Sequence, residues 1–191
     1  CRTMYSSIPS AFLIVELLRL YGVKEVVISP GSRNAPLTIG FSENKAFNCH
    51  SIVDERSAAF YGLGLAMAKN EPVVLVCTSG SALLNYFPTI AEAFYSDVPL
   101  LVLSADRPEY LLEIGEGQTI LQEGVYGRMI AHSTNLLLDD SSNQDFINSV
   151  NKSRIEESLV QLKTTQRPVH INIPFDEPLY HKTEEPLFSV E

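Results

Sequence analysis

Positive charge is scarce in this chain: 14 lysines and arginines stand against 23 aspartates and glutamates, a formal charge of -9 over 191 residues. The field of such a protein repels a nucleic-acid backbone or an anionic membrane, so neither is expected as its main partner, and any anion-binding site has to be local. Cysteine is scarce too. Cys1, Cys49 and Cys77 have no paired spacing, and the last two lie in apolar runs, which leaves no basis for a disulfide framework or a zinc site and suits the reduced thiols of a cytoplasmic protein. No apolar run is long enough to span a bilayer. The longest near the start, residues 11–20, is broken by Glu16 and Arg19 and lacks the basic flank and cleavage signal of a secretory leader. The chain opens on Cys1 and not on Met, so it is expected to be a processed or partial piece. Also missing are solenoid repeats and low-complexity tracts. Thr78-Ser79-Gly80-Ser81 lacks the Gly-Lys-Ser/Thr ending of a phosphate loop, and Gly115-Glu116-Gly117 lacks the leading strand and third glycine of a dinucleotide fingerprint.

What is present is the composition of an ordinary soluble globule, 45% hydrophobic and 19% charged, and enough chain for one well-cored domain. Ser6 or Ser7 can cap a first helix whose apolar positions Ile8, Ala11, Phe12, Val15 and Leu18 recur near the helical period, with Gly22 placed to end it. Val26-Val27-Ile28 reads as a buried strand leading into the turn Ser29-Pro30-Gly31-Ser32-Arg33-Asn34, and a second helix is expected over residues 35–44. Residues 49–53 read as a strand and 57–68 as a helix, with Asp54 and Glu55 at the joint. The run Val73-Val74-Leu75-Val76-Cys77 is that of a parallel strand covered on both faces. A helix to about Tyr95 follows Thr78-Ser79-Gly80-Ser81, then a strand over residues 100–104 ending in Ala105-Asp106-Arg107-Pro108. Residues 109–126 form a long polar loop, residues 135–138 a short strand, 143–162 an amphipathic helix, and 168–174 a last strand with alternating faces containing His170. His50 likewise reads as a strand residue, and His181 lies in the tail. This alternation predicts an α/β fold: a doubly wound, mainly parallel sheet with helices on both faces. Residues 1–175 form the domain, and the acidic, proline-punctuated residues 176–191 resemble the start of a linker.

Parallel strands with right-handed crossovers bring their carboxyl ends to one edge, where such folds place ligands. Four polar clusters arrive there: Ser32 and Arg33, Asp54 and Glu55, Thr78 and Ser79, Asp106 and Arg107. Glu55, in the first turn of its helix, either complements the helix dipole or serves as a positioned acid or base. Arg33 and Arg107 either bind the carboxylate or phosphate of a small ligand or form structural salt bridges with Asp106 or Glu55. The backbone amides at the start of the helix after Ser79 offer a place for an anion. The chain order Ser79, Asp106, His132 is that of a serine-hydrolase triad, but Cys77 and Ser81 stand where the glycines of a nucleophile elbow belong.

Taken together, Ile28-Ser29-Pro30-Gly31-Ser32-Arg33-Asn34, Val53-Asp54-Glu55-Arg56-Ser57-Ala58, Cys77-Thr78-Ser79-Gly80-Ser81-Ala82 and Ser104-Ala105-Asp106-Arg107-Pro108 resemble one family. It is the MenD family of thiamine-diphosphate-dependent 2-succinyl-5-enolpyruvyl-6-hydroxy-3-cyclohexene-1-carboxylate synthases of menaquinone biosynthesis, and the resemblance runs from the first helix to the last strand. It implies that Glu55 hydrogen-bonds the aminopyrimidine ring of the cofactor and promotes the imino tautomer that removes the thiazolium C2 proton, with Thr78 and Ser79 beside the cofactor. It further implies that 2-oxoglutarate loses carbon dioxide and the remainder adds to isochorismate, with Ser32, Arg33, Arg107 and Gln118 lining the substrate side. Family members often carry Asn just before that glutamine; here Gly117 stands there, so a contact from that side chain is lost. The resemblance covers only the amino-terminal, pyrimidine-binding domain, with a middle domain to follow. The diphosphate and magnesium are then held by a further domain absent from these residues and supplied by a second subunit of a homodimer or homotetramer. This chain alone is therefore expected to be inactive. The competing class is a binding or regulatory module of the same fold without catalysis.

Overall fold

The computed structural model describes residues 3–191, so Cys1 lies outside the described residues. Six strands form one parallel sheet: β2 (Glu25–Ile28), β3 (Asn48–Ser51), β4 (Val73–Cys77), β5 (Leu100–Asp106), β6 (His132–Asn135) and β7 (Val169–Pro174), while β1 (Tyr5–Ser6) and β8 (Lys182–Thr183) make a separate antiparallel pair. The order across the sheet is β3-β2-β4-β5-β7-β6. β4 sits inside with all five residues buried, which is why its sequence is an unbroken apolar run.

Side chains of successive strand residues point to opposite faces, so each strand feeds two cores. Val26, Ile28, Val74, Val76, Leu101 and Leu103 pack under α1 (Pro9–Leu20), α2 (Ala35–Ser42) and α5 (Gln144–Thr165). Val27, Leu75, Cys77 and Val102 pack under α3 (Glu55–Lys69) and α4 (Phe87–Tyr95). This is the expected doubly wound α/β layering. After β2 the chain moves outward to β3, then returns past β2 to β4. The connections leaving the carboxyl ends of β2 and β4 therefore run in opposite directions, the condition for a ligand crevice in an open α/β sheet.

Four local expectations are corrected. Ser6 is not the cap of α1: it lies in β1, its Oγ accepts from the Ile8 amide at 3.3 Å, and the cap position falls on Ile8. Pro9, which has no N–H to leave unsatisfied, opens the helix. The segment after Ser79 begins as a 3-10 helix, Gly80–Tyr86, and becomes α-helical only at Phe87. Pro88 cannot donate to the carbonyl four residues back, so a regular α-helix starts with that proline in its first turn. β5 continues two residues past Ser104, and the short strand lies at His132–Asn135, where β7 pairs with it, and not at 135–138. Beyond these four, β8 pairs with β1, and the Phe188 ring meets Phe12 edge-on at 4.9 Å.

Glu25 and His170 are among the titratable groups that the sheet buries. At its amino-terminal rim Glu25 accepts hydrogen bonds from Asn48 and His50, both at 2.9 Å, and from Lys69. Burial alone pushes this carboxyl up, but the three donors outweigh it and bring Glu25 to about 2. His170 lies wholly buried between β5 and β6. Ser104 Oγ gives its hydrogen to Asn172 Oδ1 at 2.7 Å, so the contact of 2.7 Å between Ser104 Oγ and His170 Nε2 requires the ring to donate there; Nδ1 accepts from Ser133 Oγ at 3.3 Å. Burial pushes His170 from 6.5 down to about 3. Between those values the unfolded chain takes up a proton that the folded chain refuses, so stability falls as pH drops, by up to about 1.4 kcal/mol per pH unit from this group. Urea unfolding at pH 7 and pH 5 is expected to give a steeper loss for the unaltered chain than for His170→Gln. Equal losses would refute the assignment, because Glu25 contributes only as pH falls through the window from 4.5 to about 2.

Candidate functional site

At the head of α3 the cap is Asp54, whose side chain accepts from the Ser57 amide at 2.7 Å. That bond is the main reason the Asp54 carboxyl lies below its ordinary value. The helix is thus capped without Glu55, whose carboxylate has no hydrogen-bond or ion-pair partner among the described residues. The backbone that presents it is fixed from β2: the Ile52 amide donates to Ile28 O at 3.0 Å, and Ser29 Oγ donates to Ile52 O at 2.8 Å. Behind it, burial pushes the Cys77 thiol up, and the charge of Glu55 is near enough to add to the rise.

The turn after β2 meets the end of β4 at Gly31. A Cβ added there would come within 2.5 Å of Thr78 Cβ and 2.9 Å of its Oγ1. Only hydrogen fits, so Gly31→Ala is expected to force the two strand-end turns apart and cost about 1–3 kcal/mol. A urea midpoint unchanged from that of the parent chain would contradict this contact.

Ser79, Arg107 and Gln118 come together. One Arg107 nitrogen, Nη1, donates to Ser79 Oγ at 2.6 Å and to the Gln118 carbonyl at 3.0 Å, and Gln118 Nε2 donates to Ser79 O at 3.1 Å. Arg107 Nε is buried without a partner among the described residues. Thr78 adjoins this group, whereas Ser32 is exposed, and neither Ser32 nor Glu55 shares a hydrogen bond with it. Arg33 lies apart: Nη1 donates to Phe175 O at 2.9 Å, and Nη2 is 3.6 Å from Glu177. The salt-bridge alternative for the arginines is therefore corrected, since neither side chain pairs with Asp106 or Glu55. Asp106 instead accepts from the Arg107 amide and from Asn172 Nδ2, both at 2.8 Å, while burial pushes its carboxyl up.

One further expectation is narrowed and another fails. The first amide of the 3-10 helix is not open to an anion, because Gly80 N donates to Gln122 Oε1 at 2.9 Å. Nor is there a hydrolase triad. His132 opens β6 opposite Val169, whereas Asp106 pairs with Pro174, five residues along the same parallel register. At about 3.3 Å per residue that is roughly 16 Å, towards the opposite rim of the sheet. Gln122 and Asn172 were not expected at the site. Asn172 and His170 do leave a sign, as polar residues at alternate positions in a strand flanked by apolar ones; Gln122, inside a polar loop, leaves none.

A family model described as the thiamine pyrophosphate enzyme, N-terminal TPP binding domain, matches residues 10–129. The chain is similar to proteins named 2-succinyl-5-enolpyruvyl-6-hydroxy-3-cyclohexene-1-carboxylate synthase. That of Flavobacterium psychrophilum is 51% identical over 181 residues, 95% of this chain and 32% of the relative. That of Flavobacterium johnsoniae is 50% identical over 98% of this chain and 32% of the relative, and that of Porphyromonas gingivalis 45% over 92% and 30%. The chain spans about a third of the length of the curated relatives it matches. The matched residues include the carboxyl ends of β2 to β5 with the four polar clusters at them, and Gln118 in the loop beyond, so the chain belongs to the thiamine pyrophosphate enzymes through their N-terminal TPP binding domain.

Proposed function

We propose that this chain is the pyrimidine-binding part of a thiamine-diphosphate-dependent synthase that joins decarboxylated 2-oxoglutarate to isochorismate in menaquinone biosynthesis. The observation that carries the reading is Glu55: a carboxylate with no partner among the described residues, in the first turn of a helix already capped by Asp54, on backbone tied to β2. Such a group fits a ring nitrogen that needs a hydrogen-bonding partner. Thiamine diphosphate, when bound, supplies the electron sink for loss of carbon dioxide. Glu55 holds and polarises its aminopyrimidine ring, and Thr78 and Ser79 lie against it. Arg107, with Gln118, takes a substrate carboxylate, and Ser32 and Arg33 flank the same edge. Magnesium and the diphosphate belong to a domain beyond this chain, contributed by a second subunit.

Self-association through the α3 face is supported by Phe60 and Met67, two large apolar side chains exposed on that helix, by Val53 just before it, and by Leu84 on the 3-10 helix that packs against it, all solvent-exposed here. No described helix is long and apolar enough to cross a membrane; the cytoplasm is the compartment we assign. The test is carbon dioxide release by the full-length protein given 2-oxoglutarate, isochorismate, thiamine diphosphate and magnesium. Rapid release that requires isochorismate is expected. The 191-residue chain alone is expected to turn over nothing, and magnesium-dependent micromolar binding of thiamine diphosphate by it would contradict the division of labour. Cofactor-loaded full-length protein that releases no carbon dioxide would refute the substrates.

A further inference from the structure

We propose that Gln122 is a positioning residue, which pins the loop carrying Gln118 against the ends of β4 and β5 and so sets the pocket wall formed by Ser79, Arg107 and Gln118. The inference rests on the reading that this wall receives a substrate carboxylate. Residues 112–121, just before Gln122, are mostly exposed or half-buried, yet Gln122 is only 1% exposed. Its amide is fully engaged. Oε1 accepts from Gly80 N at 2.9 Å, and Nε2 donates to Ala105 O at 3.2 Å and to Asn172 Oδ1 at 2.7 Å, which uses both of its hydrogens.

Two routes lead from these bonds to the pocket. Gly80, in the left-handed region at φ +82°, is held by Gln122 through its amide and lies against Gln118, whose Cγ and carbonyl oxygen would each be 2.8 Å from a Cβ at that position. The seat of Gln118 is therefore the residue that Gln122 fixes. By the second route, Asn172 passes from Gln122 to Asp106, and the Asp106 carboxylate takes the Arg107 amide at 2.8 Å. One side chain thus bears on both partners of Ser79. With all its polar atoms turned into the fold, Gln122 has none left for a ligand, and its effect on binding must pass through those neighbours.

Gln122→Met keeps the length of the side chain and removes every hydrogen bond; Gln122→Glu keeps an acceptor for Gly80 and loses the donors. Both are to be made in the full-length protein and assayed for steady-state carbon dioxide release and for hydrogen–deuterium exchange. In Gln122→Met the KM for the carboxylated substrates is expected to rise roughly tenfold, with kcat changed less and thiamine diphosphate affinity unchanged. The segments around Gly80 and residues 112–123 are expected to lose protection while β2 and β7 do not. Gln122→Glu is expected to keep the protection at Gly80. A KM within twofold of the parent, or an equal fall of kcat, cofactor affinity and thermal midpoint, overturns the proposal. If the parent protein itself turns over neither substrate, the functional reading fails separately, and exchange alone decides: unchanged protection at both segments in either variant that folds overturns the role of Gln122.

Discussion

Replacing Glu55 by glutamine is expected to lower carbon dioxide release by the full-length protein at least about a hundredfold, the lower bound of what a positioned proton-transfer partner contributes. Folding should barely respond. Asp54 already satisfies the Ser57 amide, so the substitution removes only a favourable charge at the start of α3, about 0.3–1 kcal/mol at an exposed helix end. The two readings of Glu55 then separate on two measurements of the same variant. A dipole role predicts a small drop in urea midpoint and normal turnover. A catalytic role predicts the reverse weighting. Glu55→Asp sharpens the comparison, because it keeps the charge at the helix start but shortens the side chain by one methylene. Activity close to that of the parent in both variants would return Glu55 to a purely structural part.

Where the sequence is legible, the cause is local burial or local capping. β4 is read to the residue because it is covered on both faces and therefore apolar throughout. The head of α3 is legible because a cap and an acidic first turn are written in adjacent residues, Asp54 and Glu55. The misread elements depend on partners far along the chain. Ser6 looks like a cap until Lys182 pairs with it, and β6 is placed by β7 and not by its own residues. The same division runs through the site. Ser79 and Arg107 could be anticipated from polar residues at strand ends, and Gln118 from the family resemblance alone. Their hydrogen bonds could not, since Arg107 had two nearby carboxylates to choose from and uses neither with its guanidinium. Gln122 was invisible because a glutamine in a polar loop resembles solvent-facing loop until the sheet ends close over it.

Arg107→Lys is expected to raise the KM for the carboxylated substrate between about tenfold and a hundredfold, although the charge is conserved. The guanidinium divides its work. Nη1 clasps Ser79 Oγ and the Gln118 carbonyl, which leaves Nε, buried, and Nη2 without partners among the described residues. Those two N–H groups form the edge that matches a carboxylate with two parallel hydrogen bonds. An ammonium group can replace the clasp or reach the ligand but cannot do both from one point. Arg33 offers a weaker case, because Nη1 already serves Phe175 O and Nη2 faces Glu177 at 3.6 Å, so Arg33→Lys should change KM by less. Measuring both variants at saturating thiamine diphosphate orders the two residues. If Arg107→Lys leaves KM unchanged, the free edge has no ligand and Arg107 serves only to join the loop to Ser79. If Arg33→Lys has the larger effect, the carboxylate lies under the turn after β2, where it would have to displace Glu177 on entry.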